Sequence, residues 1–193
     1  VAYQILTFIT PIITAPYLAR HFGSESLGVY NYTYSIVYWF ILFGMLGLNI
    51  YGNRQIAKVS DDREKRSKVF SEIFTLQMLN VLLSTVVFYI VCGFFDQQYF
   101  KIFLIEGMLI LASLFDVSWF YNGIENFKKI TLRNFFVKIS TIVLIILIIK
   151  NPDQIMDFVW INVAMTMFGS LVMWINIRKY IDFKRSKIKD AYK

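Results

Sequence analysis

Three ionisable side chains interrupt otherwise apolar stretches of this 193-residue chain: Glu106, Asp116 and Lys138. A charge at the centre of a membrane helix costs about 2.5 to 3.5 kcal/mol on insertion scales, so each needs a partner or a task. Glu106 and Lys138 stand near the starts of their stretches and can also snorkel to an interface. Asp116 can pair with Lys138 from the next stretch, which makes the three residues candidates for an ion pair or for ion coupling. Arg54 offers a planar donor fork suited to phosphate; its place in a basic loop equally fits a plain topology charge. Enzymatic chemistry has little to draw on. The only histidine, His21, falls in a turn, and the only cysteine, Cys92, lies in an apolar run. No glycine-rich phosphate loop and no cluster of histidine with carboxylates is present. No enzyme, metal or cofactor is expected.

The elements that hold these residues are membrane helices. Hydrophobic residues make up 57% of the chain and charged ones 17%, with a mean hydropathy of +0.54, against about 25% charged in soluble domains. Apolar runs of bilayer-spanning length replace the ten-residue alternation of a barrel, so an all-α, polytopic membrane helical bundle is expected. Six spans stand out, at 2–19, 28–50, 70–94, 101–120, 135–149 and 155–177, and the fifth can extend backwards because no proline or glycine precedes it. The domain reading is a six-helix lobe over 1–177 and a basic linker over 178–193. The start at Val1 reads as that of a fragment.

Basic residues set the orientation. Arg54, Lys58, Arg63, Lys65, Arg66 and Lys68 crowd the second loop, Lys128, Lys129, Arg133 and Lys138 the fourth connection, and seven more follow from Arg178; only Arg20, Lys101 and Lys150 fall on the other side. Both ends are therefore expected in the cytoplasm. The net charge of +7 is explained by this bias and by anionic lipid, and nucleic acid is not an expected partner.

At 100° per residue each span has one polar side. Asn31, Tyr34, Ser35, Tyr38 and Asn49 share a face of the second span; Gln77, Asn80 and Ser84 of the third; Glu106, Ser113 and Asp116 of the fourth; Asn134, Lys138 and Thr141 of the fifth; Asn162, Thr166 and Gly169 of the sixth. Such residues either glue helices together, at about 0.6 kcal/mol per hydrogen bond, or line an aqueous cavity. The aromatic residues of the second span fit an interfacial belt, and those on its inner side also fit stacking against sugar. Pro11 and Pro16 open carbonyls that a neighbouring helix or cavity water can satisfy, and they allow a bend. Helix one is thus a candidate gate, with Gly23 as its stop.

The stretch "PYLARHFGSESLGVYNYTYSIVYWFILFGMLGLNIYGNRQIAK" resembles the first two helices of the bacterial polysaccharide flippases, within the multidrug/oligosaccharidyl-lipid/polysaccharide exporter superfamily. The resemblance is carried by Pro16, Leu18, Ala19, Arg20 and Gly23, by Gly28 and Tyr30, and by Gly47, Leu48, Asn49, Gly52 and Arg54. A second block, "DVSWFYNGIENFKKITLRN", is similar to the family's segment between helices four and five through Asp116, Ser118, Trp119, Gly123, Glu125 and Phe127. The resemblance implies one lobe of a transporter of twelve or more helices in the bacterial cytoplasmic (inner) membrane, flipping undecaprenyl-pyrophosphate-linked oligosaccharide by alternating access through a cationic central cavity. Arg54, Asn31, Tyr34, Tyr38, Asn49, Asn80 and Thr166 are then the expected cavity-lining or substrate-binding residues. Implied partners are the lipid-linked oligosaccharide, membrane lipid, a C-terminal lobe, and a polysaccharide polymerase with glycosyltransferases. A drug or cation antiporter of the same superfamily is the alternative, kept open by Glu106 and Asp116; a membrane-embedded sugar polymerase or transferase ranks below both.

Overall fold

The computed structural model describes residues 2–94 and 97–182, with side chains from residue 12 onward. Among these residues the chain is all helical, with no strand. Helix α1 runs over Ala2–Met45 and α2 over Leu48–Ala57; α3 follows at Arg63–Cys92. The short helices α4 (Phe100–Glu106), α5 (Met108–Leu114) and α6 (Ser118–Gly123) lead to the long α7 (Phe127–Ile148) and α8 (Ile155–Val172). Residues 183–193, most of the expected linker, lie outside the described residues.

Among the described residues four helices are long and apolar enough to cross a membrane: Ile12–Ala57, Arg63–Cys92, Phe127–Ile148 and Pro152–Lys179. The first counts 46 residues, about 69 Å of helix, twice the thickness of a hydrocarbon core. It takes in the second expected span and residues 12–19 of the first. Its backbone leaves helical geometry at Gly23 (φ 71, ψ 175), a conformation open essentially to glycine alone, and not at Pro11 or Pro16. Proline's fixed φ is itself helical and removes only one N–H, so the helix passes through both prolines and breaks where a Cβ is missing. A second break falls at Leu46 (φ 38) and Gly47 (φ 72), between α1 and α2.

The expected fourth span, 101–120, is three short pieces. Gly107 joins α4 to α5 with helical angles, whereas α6 starts anew because the Asp116 carboxylate takes the Ser118 N–H at 2.9 Å. The fifth helix extends back to Phe127, where the Asn126 side chain accepts the Lys129 N–H. Helix α3 begins at Arg63, earlier than hydropathy alone indicates, because Asp62 caps it by accepting the N–H groups of Glu64 and Lys65 at 3.1 and 3.0 Å.

Burial sorts into three clusters. One joins Val37, Val81, Phe88, Phe103 and Ile110 of α1, α3, α4 and α5 with Val159 of α8. A second lies at the basic end, around Ile56, Phe70, Trp119, Phe120 and Met173. The third packs Leu18 and Phe22 against Ile145, Ile149 and Phe158. Cys92 is buried in the first cluster.

Candidate functional site

The two motif blocks, some seventy residues apart along the chain, form one joint. Gly52 of α2 lies against the indole of Trp119 in α6, and a Cβ there would stand 2.6 Å from Cε3 and 2.8 Å from Cδ2. Gly123, one turn further, meets Ile56 at 2.6 Å in the same sense. Two glycines thus let α2 and α6 approach to backbone distance, as small residues do between membrane helices. Gln77 of α3 secures the joint: its Oε1 accepts the Trp119 Nε1–H at 2.8 Å, and its Nε2 donates to the carbonyls of Ser113, Leu114 and Asp116 at 2.8 to 3.1 Å. Those carbonyls lie at the end of α5 and just beyond it, where Ser113 also accepts the Asp116 N–H at 3.2 Å, so the buried amide supplies donors at a helix end that is short of them. Ser84, on the same stripe, donates to the Phe40 carbonyl at 2.6 Å. Gln77 and Ser84 therefore act as glue between helices, while Asn80 is half-buried.

Beside this joint the acid has found a different base. Asp116 lies 3.9 Å from Arg133 Nη2, not against Lys138, and the same Nη2 donates to Ser118 Oγ at 2.7 Å. Ser118 in turn donates its hydroxyl to Asp116 Oδ1. Lys138 sits five residues beyond Arg133, more than a full turn up α7, and is half-buried. The Arg133 side chain is 13% exposed, its Nε has no hydrogen-bond partner, and it runs past Gly169, whose missing Cβ would stand 3.4 Å from Arg133 Cδ. Counting charges for topology could not reveal this, because the register between α6 and α7 depends on the turn at Glu125, which takes φ 58. Lys129 is a second such residue. Its ammonium donates to the Tyr121 hydroxyl at 2.6 Å and to the Met173 and Ile175 carbonyls at 3.2 and 2.5 Å, a cation placed at the negative end of α8.

Glu106 is the buried acid. It is 1% exposed, and neither carboxylate oxygen has a hydrogen-bond partner. Tyr30, Thr33 and Tyr34 of α1 are the polar side chains within its electrostatic reach, and the Thr33 hydroxyl already donates to the Val29 and Tyr30 carbonyls.

The remaining expected site residues divide by helix face. On α1, Asn31, Tyr34, Ser35 and Tyr38 are exposed within a sector of about 100°, and Tyr32, Trp39 and Phe43 are exposed in the adjacent sector. Tyr30, Tyr34 and Tyr38 form a ladder, with ring centroids 5.8 and 6.1 Å apart and planes tilted by 23° and 22°; Tyr34 and Tyr38 are 38% and 47% exposed. On α8, Trp160, Ala164, Phe168 and Leu171 make one exposed face, and Thr166 is exposed about 160° away, among the buried Val159, Gly169 and Met173. On α7 the half-buried Asn134, Lys138 and Thr141 lie opposite the exposed Leu132, Phe136 and Val143. Asn49 and Arg54 are exposed on α2. Pro16 is exposed, and the side chain of Pro11 lies outside the described residues. Tyr17, between the prolines and Gly23, donates to the Ile149 carbonyl at 2.7 Å and meets the His21 ring at a tilt of 33°, centroids 4.2 Å apart; His21 therefore lies inside α1 and not in the expected turn, because the backbone stays helical until Gly23. Among the described residues no group of histidine, cysteine and carboxylates could hold a metal.

Comparison with known proteins follows the same lines. A protein of Escherichia coli (strain K12) named "Putative O-antigen transporter" is 23% identical over 151 residues, 77% of this chain and 36% of its own length. One of the same name from Shigella dysenteriae is 23% identical over 177 residues, 89% of this chain and 43% of its own. The chain therefore spans less than half the length of these relatives. No solved structure matches it. The family described as Polysaccharide biosynthesis protein matches residues 1–193. Matched along its whole length, this multi-pass membrane chain belongs to the polysaccharide biosynthesis protein family.

Proposed function

We propose that the chain is a six-span lobe of a larger carrier that moves a polyprenyl-pyrophosphate-linked oligosaccharide across the cytoplasmic membrane by alternating access, with the basic end of the bundle in the cytoplasm. The observation that carries this reading is the divided exposure of α1. A helix surrounded only by lipid has no reason to keep Asn31, Tyr34, Ser35 and Tyr38 in one open sector and Tyr32, Trp39 and Phe43 in the next. The first sector suits water and sugar hydroxyls, the second acyl chains. Thr166 and the α7 stripe of Asn134, Lys138 and Thr141 extend the hydrophilic lining, and Arg54 at the basic end receives the pyrophosphate. The gate is α1, flexing at its outer end. A cationic drug finds less: Asp116 is engaged by Arg133, and Glu106 is sealed from solvent. Glycosyltransferases and a polymerase are the partners that make and consume such a cargo.

The test uses the full-length carrier with Cys92→Ser as background. Single cysteines at Tyr34, Tyr38 and Thr166 are expected to react with membrane-impermeant thiol reagents, and those at Trp39, Phe43 and Phe168 to stay protected. Equal protection of both sets overturns the cavity. Arg54→Ala is expected to lower export of lipid-linked sugar more than Arg54→Lys; unchanged export in both removes Arg54 from the site.

A further inference from the structure

Beyond the end of α8 the chain turns through Trp174 to Lys179 and borders an open depression of about 640 Å3 lined by Trp174, Asn176, Ile177, Arg178 and Lys179. It shares no residue with the hydrophilic sector of α1. Its walls are fixed. The Trp174 indole donates to the Phe115 carbonyl at 2.8 Å and meets the rings of Phe74 and Phe70 edge-on at 4.9 and 6.1 Å. Asn176 turns the chain in the left-handed conformation, φ 63. Arg63 of α3 holds the far side, donating to the Arg178 carbonyl at 3.1 Å.

The charge in this turn is not neutralised from within. Asp182, the nearest acid along the chain, is engaged by Arg63 at 2.7 Å, and among the described residues no ion pair involves Arg178 or Lys179, both exposed. Lys129 adds a third cation, its ammonium 2.5 Å from the Ile175 carbonyl. Exposed apolar side chains lead along the chain to this turn: Phe168 and Leu171 of α8, and Ile175 just past its end, the last 57% exposed. An occupant that satisfies both surfaces joins a compact anion to a long hydrocarbon tail. Basic pockets at the ends of membrane helices hold lipid headgroups for this reason, and tryptophan sits at that level.

We propose that this turn is a binding site for an anionic phospholipid, its phosphodiester held by Arg178 and Lys179 and its acyl chains laid along Phe168, Leu171 and Ile175. The site needs the membrane but not the proposed cargo, so it stands or falls apart from the transport reading. The experiment measures retention of dioleoylphosphatidylglycerol and dioleoylphosphatidylcholine by purified full-length protein, using native mass spectrometry. Arg178→Gln with Lys179→Gln is expected to lower phosphatidylglycerol retention about thirtyfold, as two lost basic contacts imply, and to leave phosphatidylcholine unchanged. The exchange Arg178→Lys with Lys179→Arg is expected to keep retention, which separates lost charge from lost folding. Lys58→Gln with Lys68→Gln, an exposed basic pair outside the turn, is expected to have no effect. An equal loss in that pair reduces the site to diffuse attraction and overturns it. So does displacement of the lipid by inorganic phosphate, or by a polyprenyl pyrophosphate at lower concentration than phosphatidylglycerol itself, since the ligand would then be a free anion or the cargo.

Discussion

Gly52 lies flat against the indole of Trp119, so close that a Cβ on the glycine would stand 2.6 Å from the ring. The indole is fully buried and tied to Gln77 at 2.8 Å, so it cannot move aside. Overpacking of this kind costs about 1 to 3 kcal/mol. Gly52→Ala is therefore expected to lower the thermal stability of the detergent-solubilised protein by that order. Adding Trp119→Phe is expected to restore part of it, because the smaller ring vacates the clash; a strictly additive double variant would show that the two residues are not coupled.

The Asp116 and Arg133 pair is expected to behave as a unit. Removing Asp116 alone leaves a guanidinium that is 13% exposed without its acid, and removing Arg133 alone leaves the acid without its base. The double variant Asp116→Ala with Arg133→Ala should thus be less destabilised than the sum of the singles, by about 1 kcal/mol for a partly exposed pair. Lys138→Ala in an Asp116→Ala background should add its own effect unchanged. Melting curves of the parent, the three single variants and the two double variants check both statements.

Glu106 is buried with no hydrogen bond formed to either carboxylate oxygen, and Thr33 is the hydroxyl beside it. An ionised carboxylate in that place lacks compensation. Glu106→Gln is expected to keep or raise the melting temperature, and Glu106→Ala to lower stability by about 2 kcal/mol through the void left behind. A loss of transport by Glu106→Gln at undiminished stability would assign the carboxyl a part in coupling.

In the first half of α1, the glycine is expected to matter more than the prolines. Gly23 occupies φ 71, ψ 175, which an alanine adopts only at a cost of about 1 to 3 kcal/mol, whereas the backbone at Pro11 and Pro16 is helical and accepts alanine. Gly23→Ala should lower abundance or export; Pro11→Ala with Pro16→Ala should spare the fold and test the gate alone. Unchanged export in the double proline variant rules out a gating part for the prolines.

The cap of α3 gives a pH dependence. The Lys65 and Glu64 N–H groups and the Lys65 ammonium hold the Asp62 carboxyl below its usual 3.8. A value lower in the folded than in the unfolded chain means stability that is present above pH 3.8 and lost as pH falls through the folded value. The protection of the Glu64 and Lys65 amides, measured relative to their intrinsic exchange rates, is expected to fall on acidification through that window in the native protein. In Asp62→Ala exchange should be faster at neutral pH and lack that acid step.

Much of this protein was written in the order of its residues. Composition, run length and the 3.6-residue repeat suffice for a membrane helical bundle, because the bilayer demands that each segment satisfy its own backbone. They also suffice for the polar stripes, the Gly23 stop and the two motif blocks, since these depend on near neighbours. Tertiary structure alone decided what each stripe does: Gln77 and Ser84 turned inward to bond carbonyls of other helices, while Tyr34, Tyr38 and Thr166 stayed open. It also gave Asp116 to Arg133 instead of Lys138 and set Gly52 beneath Trp119. Periodicity reports which side of a helix a residue occupies, but pairing across helices depends on axial register and crossing distance, and those are fixed only when glycines, buried amides and turns bring distant segments together.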